Sequence, residues 1–229
     1  LLYAGTEFGL FISFDDGKNW NAFNNNLPVT PVTDIKIKDN DLVLSTMGRG
    51  FWIMDNIVSL RELGSIKNQQ AYLFDIQDGI RNRMNASSDP NGPEYTRMGV
   101  TIDYYIKDKD QPVTLEILDD EGNVIRTFVN GRPSPPSNTE RDMATGFQNP
   151  PAAGGLPNKQ GLNRYSWNMR HAGGWDDNPR RAYQGFGPMV ATGTFKARLK
   201  VGDQQLENDF NVVLDPRVTL VTDADVKEQ

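Results

Sequence analysis

Residues Ser13-Phe14-Asp15-Asp16-Gly17-Lys18-Asn19-Trp20 set the tightest limit on what this chain can fold into. The spacing S-x-D-x-G-x-x-W fits a tight turn between two short strands. Asp15 can accept hydrogen bonds from backbone N–H groups of the turn that follows it. Gly17 can take the positive φ that closes a hairpin. Ser13 can hydrogen-bond across the turn, and Trp20 offers a large apolar plate to bury beneath it. Ser13, Asp15, Gly17 and Trp20 are therefore expected to be structural residues of a hairpin, not a catalytic centre.

The stretch around this turn recurs. Leu2-Tyr3-Ala4-Gly5-Thr6 is answered by Leu42-Val43-Leu44-Ser45-Thr46, and Glu7 to Ile12 by Met47 to Ile53 with one extra residue. An offset of about 40 residues matches one four-stranded propeller blade. Val32 to Ile37 alternates with period 2 and meets the turn Asp39-Asn40-Asp41, a further strand. The second copy lacks the Gly-x-x-Trp half of the turn motif, as a terminal repeat would. From about 57 to 70 a short helical turn is expected to run into a polar linker, with a domain boundary near Asn68.

Beyond the boundary the pattern changes. Strands are expected at Val100–Ile106, Val113–Leu118, Val124–Val129, Leu162–Asn168, Gly193–Val201 and Leu206–Leu214, with turn clusters at Asp119 to Asn123 and at Gly202-Asp203. About seven short alternating strands suggest a β-sandwich of immunoglobulin or fibronectin type III kind. Residues 131–161 read as a long loop, expected to be mobile in part, and 172–191 as a second Gly-rich excursion. The expected domains are thus 1–68, 69–217 and a tail over 218–229, all-β throughout.

Composition removes several functions. The 229 residues carry a net charge of −6 and no basic cluster, so a charged face for nucleic acid or an anionic membrane is not expected. No apolar run reaches membrane-spanning length. The absence of cysteine removes disulfides, zinc–thiolate sites and thiol nucleophiles together. It suits a periplasm or cell surface as well as a cytosol. The chain opens on Leu1-Leu2-Tyr3 inside a strand pattern and reads as a piece of a longer protein.

The first part resembles the repeats of sortilin-like and bacterial-neuraminidase-repeat propellers. The likeness rests on Tyr3 to Gly9, on Ser13 to Trp20 (the motif known as an Asp box), and on Asp41 to Thr46 with Gly48 to Asp55. Bacterial members of this group often show Thr-His-Gly-Arg at the second site. Met47 stands here in place of the His, so no function tied to that His carries over. The second part is similar in pattern to immunoglobulin-like modules of secreted bacterial proteins, through Leu118–Phe128, Gly161–Trp167 and Gly193–Leu199. The resemblance implies a secreted parent, with this chain in its periplasmic, cell-surface or extracellular portion.

Few residues suggest chemistry. The one histidine, His171, has no nucleophile-elbow motif to serve. Asp39-Asn40-Asp41 and Asp176-Asp177-Asn178 are oxygen-rich but lack calcium-loop spacing, and they read as solvated turns. No cofactor or metal is called for. Glu7, Asp34, Asp55 and Glu62 are the carboxylates a glycosidase pair would draw on. Arg49, Trp52 and Trp175 are the candidate ligand-binding residues: the guanidinium for a carboxylate, the indoles for a sugar ring or a peptide. Trp20, Trp52 and Trp167 are read first as core or inter-blade packing residues.

Two functions follow as expectations. One is a non-catalytic module that binds a protein, peptide or glycan, with the sandwich as spacer or anchor. The other is part of a glycan-active hydrolase with its catalytic residues elsewhere. A blade with an uncovered apolar face is also expected to pack on the sandwich or to self-associate.

Overall fold

The computed structural model describes residues 1–66, 68–81, 99–109, 111–130, 156–171 and 187–228. The protein is all-β apart from short helices, and it divides into two compact units, Leu1–Lys67 and Asn68–Gln229. Among the described residues no helix is long and apolar enough to cross a membrane.

The first unit holds two three-stranded antiparallel sheets. In one, β1 (Leu2–Thr6) pairs with β2 (Gly9–Ser13), and β2 with the short β3 (Asn21–Ala22). In the other, β4 (Val32–Lys38) pairs with β5 (Asp41–Thr46), and β5 with β6 (Phe51–Met54). The hairpins β1–β2 and β5–β6 are the two copies of the sequence repeat. Each sheet has three strands where a full blade would have four. After β6 the chain enters Asn56 at φ 52° and then helix α1 (Val58–Ile66) instead of a further strand.

Register decides which residues lie between the sheets. Tyr3 opposes Ile12 and Gly5 opposes Leu10, so these four share one face of the first sheet. Leu42 opposes Met54 and Leu44 opposes Trp52, which share one face of the second. The two faces meet in one core of Leu10, Ile12, Leu27, Leu42, Leu44, Ile57 and Leu60. Here α1 adds an apolar edge through Leu60 and Leu63. The sheets come so close that a Cβ on Gly5 would stand 2.8 Å from Val32 Cγ1. Gly5 is needed for space, not for its backbone angles.

The second unit packs two sheets around a single core. One runs β12 (Gly161–Trp167), β9 (Val100–Ile106), β7 (Ala71–Leu73). The other runs β11 (Val124–Val129), β10 (Val113–Leu118), β13 (Gly193–Val201), β14 (Gln204–Leu214), β8 (Gly79–Arg81). The first strand segment, β7, belongs to one sheet, while β8 crosses to the other and lies parallel to β14. Along β13, Phe195, Ala197, Leu199 and Val201 point inward while Lys196, Arg198 and Lys200 alternate outward. The outward cations meet Glu116 on β10 and Glu207 on β14 in cross-strand ion pairs. Trp167 fills the centre of the core, edge-on to Phe195 and Phe210 at ring distances of 5.8 and 6.0 Å.

Several expectations change here. Residues 156–160 carry no helix or strand, yet Leu156 is buried in the core, and its amide donates to the Val129 carbonyl at 3.1 Å. Residues 131–155 lie outside the described residues, as do 172–186 of the second excursion. The tail contains helix α2 (Asp223–Lys227), with Thr222 and Asp225 closing a capping box at its start.

Candidate binding surface

The Ser13–Trp20 turn is built as a self-contained hydrogen-bonded unit. Ser13 is fully buried; its Oγ accepts from the Gly17 amide and donates to Asp15 Oδ1, both at 2.9 Å. Asp15 Oδ1 also accepts from the Asn19 amide at 2.8 Å, and Oδ2 from Asn19 Nδ2 at 2.6 Å. Gly17 sits at φ 86°, preceded by Asp16 at 60°. The Asn19 side chain and amide, with Ser13, hold the Asp15 carboxyl below the usual carboxylate range, against a smaller desolvation penalty. That carboxylate is committed to its own turn. The second unit repeats the device at Asp119, which accepts from the amide and side chain of Asn123 at 2.7 and 3.1 Å.

Trp20 departs from expectation: it is 42% exposed, not buried beneath the turn. Its ring and the Leu2 side chain flank the Gly17 turn. On that side of the first sheet no second layer covers them within the first unit.

The other carboxylate candidates are dispersed. Glu7 and Asp34 are exposed, Asp55 and Glu62 half-buried, and Asp34 Oδ1 caps the Ile35 amide. Asp41 Oδ1 accepts from the Asn56 amide at 2.9 Å, and the Asn40 carbonyl from the Ile57 amide at 2.8 Å. The Asp39-Asn40-Asp41 turn thus anchors the entry to α1. Asp176, Asp177, Asn178 and Trp175 lie outside the described residues. Among the described residues no group of three acidic or histidine side chains could hold a metal ion. His171 is half-buried and serves through its backbone: its amide donates to Pro188 and its carbonyl accepts from Arg126. In the second unit a shallow cleft of about 350 Å³ is bordered by Thr192, Thr194, Asn211, Val213 and Asp223.

The structure joins two of the predicted binding residues in the β5–β6 connection. Gly48 and Gly50 take φ of 85° and 69°, which lets the four-residue link Met47 to Gly50 reverse the chain. The link is pinned on every side. Thr46 donates to the Gly50 carbonyl through its amide (3.2 Å) and its hydroxyl (2.7 Å). The Met47 amide donates to Pro31, and the Met47 carbonyl accepts from Thr30 Oγ1. The Trp52 indole donates to the Arg49 carbonyl at 3.1 Å, while its ring packs beside Leu44 against the core. Trp52, half-buried, thus ties the backbone of the link to the core. Arg49 itself is exposed, and it pairs with no carboxylate among the described residues. Met47 and Phe51 flank it at 68% and 79% exposure. Sequence reasoning singled out Arg49 but missed these two neighbours, whose alternation with the glycines was the available signal.

An exposed guanidinium between two bare apolar side chains, on a hydrogen-bonded backbone, can take a carboxylate whose carrier has an apolar portion. No family model matches this chain, and no curated protein or solved structure matches it either.

Proposed function

We propose that this chain is a non-catalytic binding and scaffolding module, with the β5–β6 connection as its ligand-contacting element. The observation that carries the reading is the state of Arg49: exposed, without a carboxylate partner among the described residues, on a backbone fixed by hydrogen bonds from Thr30, Thr46 and Trp52. The backbone of the turn is already ordered, so the freedom lost on binding an anion is that of the Arg49 side chain alone. The ligand class is a carboxylate-bearing peptide or protein segment, or an acidic glycan. The engagement of Asp15 with its own turn supports a scaffold role for the acidic motif.

The architecture proposed is that of a secreted sortilin-like protein. Two sheets from successive repeats, packed face on face, support reading the first unit as neighbouring propeller blades. The second unit has a split first strand, its latter half parallel to the last strand, and two sheets ordered β7-β9-β12 and β8-β14-β13-β10-β11. That order supports an immunoglobulin-like module. The periplasm, cell surface or medium is the compartment proposed.

Arg49→Ala tests the binding role. The wild-type chain is expected to retain acidic peptides or glycans from an immobilised panel, and Arg49→Ala to lose them with its melting temperature unchanged. Equal retention by both proteins would overturn the reading.

A further inference from the structure

The two copies of the repeat differ in one respect that their sequences do not explain. Leu10 and Ile12 of the first copy are each 2% exposed, because the second sheet lies on them. Their equivalents in the second copy are Phe51 and Ile53, and these are 79% and 60% exposed. Register places Ser45 opposite Phe51 and Val43 opposite Ile53, so the same face carries Val43 as well. Asp34 and Lys36 of β4 flank it, opposite Ser45 and Val43. On a face whose counterpart is core, Phe51 and Ile53 thus stand bare beside half-buried Val43 and Ser45. At Gly5 the first copy has no Cβ, and the second sheet approaches within contact distance there. At the equivalent Ser45 the hydroxyl hydrogen-bonds Thr33 Oγ1 of the neighbouring strand at 2.5 Å, and Thr33 Oγ1 also donates to the Ser45 carbonyl at 3.2 Å.

The complementary face is also present. In the second sheet the side that receives Leu10 and Ile12 consists of Leu42, Leu44 and Trp52. Their equivalents on the first sheet are Leu2, Ala4 and Phe11, which share its outer face because Ala4 opposes Phe11 and Leu2 opposes Ser13; Ala4 and Phe11 are half-buried and Ser13 is fully buried under its own turn. Leu2 is 43% exposed, with Trp20, 42% exposed, on the same turn. One molecule therefore carries both halves of its own internal sheet–sheet contact, at opposite ends of the sheet pair.

We propose that the exposed Phe51 and Ile53, with half-buried Val43 beside them, take the outer face of the first sheet of a second copy of this chain, continuing the internal contact from one molecule to the next. The contact is heterologous: different surfaces meet, so it does not stop at two copies but builds rings or open chains. It rests on the internal repeat and not on the binding role of Arg49; Phe51 belongs to both surfaces, so association and ligand compete for it, and Arg49→Ala is expected to leave association intact.

Sedimentation velocity of the full chain over a dilution series tests this, with two variants. Ile53→Asp spoils one face and Leu2→Asp the other. Wild type is expected to rise with concentration to masses above two chains. Each variant alone is expected to lose all mass above one chain. An equal mixture is expected to regain association but stop at two chains, since only one intact pair of faces remains. Phe51→Asp replaces Ile53→Asp if circular dichroism shows that the latter is unfolded. A wild type that stays at one chain throughout would overturn the proposal. So would a wild type that stops at two chains, or variants that associate as wild type does.

Discussion

The Trp52 indole donates its hydrogen bond to the carbonyl of Arg49, so a residue that packs in the core holds the backbone of a residue that faces solvent. Trp52→Phe keeps an aromatic ring on the core and removes only the donor. Unfolding in urea is expected to register a loss of about 1 kcal/mol or less, the ordinary net worth of one hydrogen bond. Ligand retention is expected to fall further than that stability change would imply, because Arg49 is no longer held in place. Retention unaffected by Trp52→Phe would separate the indole from the binding surface.

Gly5 supplies a prediction about packing alone. Gly5→Val would drive its side chain into Val32 and force the two sheets of the first unit apart, at a cost of about 1–3 kcal/mol. Ser45→Val, the same change at the repeat-equivalent site, meets no facing sheet and is expected to cost far less. Chemical denaturation of the two variants side by side reads the difference.

Asp15 carries a pH dependence with a definite sign. Its carboxyl titrates lower in the folded chain than in the unfolded one, held down first by the Asn19 side chain. Its stabilising contribution is therefore complete above the unfolded value of about 3.9 and is lost as pH falls through the folded value. Asp15→Asn is expected to lower the melting temperature near neutral pH, and the gap to wild type is expected to close as the solution is acidified below about pH 4. A gap that stays constant down to acid pH would count against the hydrogen-bonded carboxylate.

Asp103 and Arg164 face one another across β9 and β12 and pair through two hydrogen bonds of 2.8 Å. They are not equivalent: Asp103 is 3% exposed, Arg164 39%. Arg164→Ala strands a buried carboxylate and is expected to cost about 2–4 kcal/mol. Replacing both residues with leucine is expected to cost less than Arg164→Ala alone, since no buried charge remains. Thermal unfolding of the single and double variants tests that order.

How much of this was legible in the sequence varies with the length of the signal. β4, β10 and β13 carry alternation long enough to read, β9 is legible from its β-branched and aromatic residues, and β1, β2, β5 and β6 are legible as a repeated pair of apolar strands around a glycine turn. β3, β7 and β8 hold two or three residues each, too few to show a period, and their pairing partners are far away in sequence. The link of Ser13, Asp15 and Gly17 was legible because it is local: every partner lies within a few residues. Trp20 was misread because burial depends on whether a second layer covers that face, which no local spacing encodes. Arg49 stood out between its glycines. The role of Trp52 did not, because an indole at half burial serves packing and hydrogen bonding together. Leu156 lay inside a Pro- and Gly-rich stretch whose composition hid a core residue.

The central claim is that this chain binds and does not transform. Its most direct test is to incubate the wild-type chain with a panel of acidic peptides and glycans and weigh both the retained and the released ligands by mass spectrometry. The account predicts retention that depends on Arg49 and ligand masses that do not change. Cleavage of any glycosidic bond in the panel, abolished by replacing a carboxylate of this chain, would contradict it.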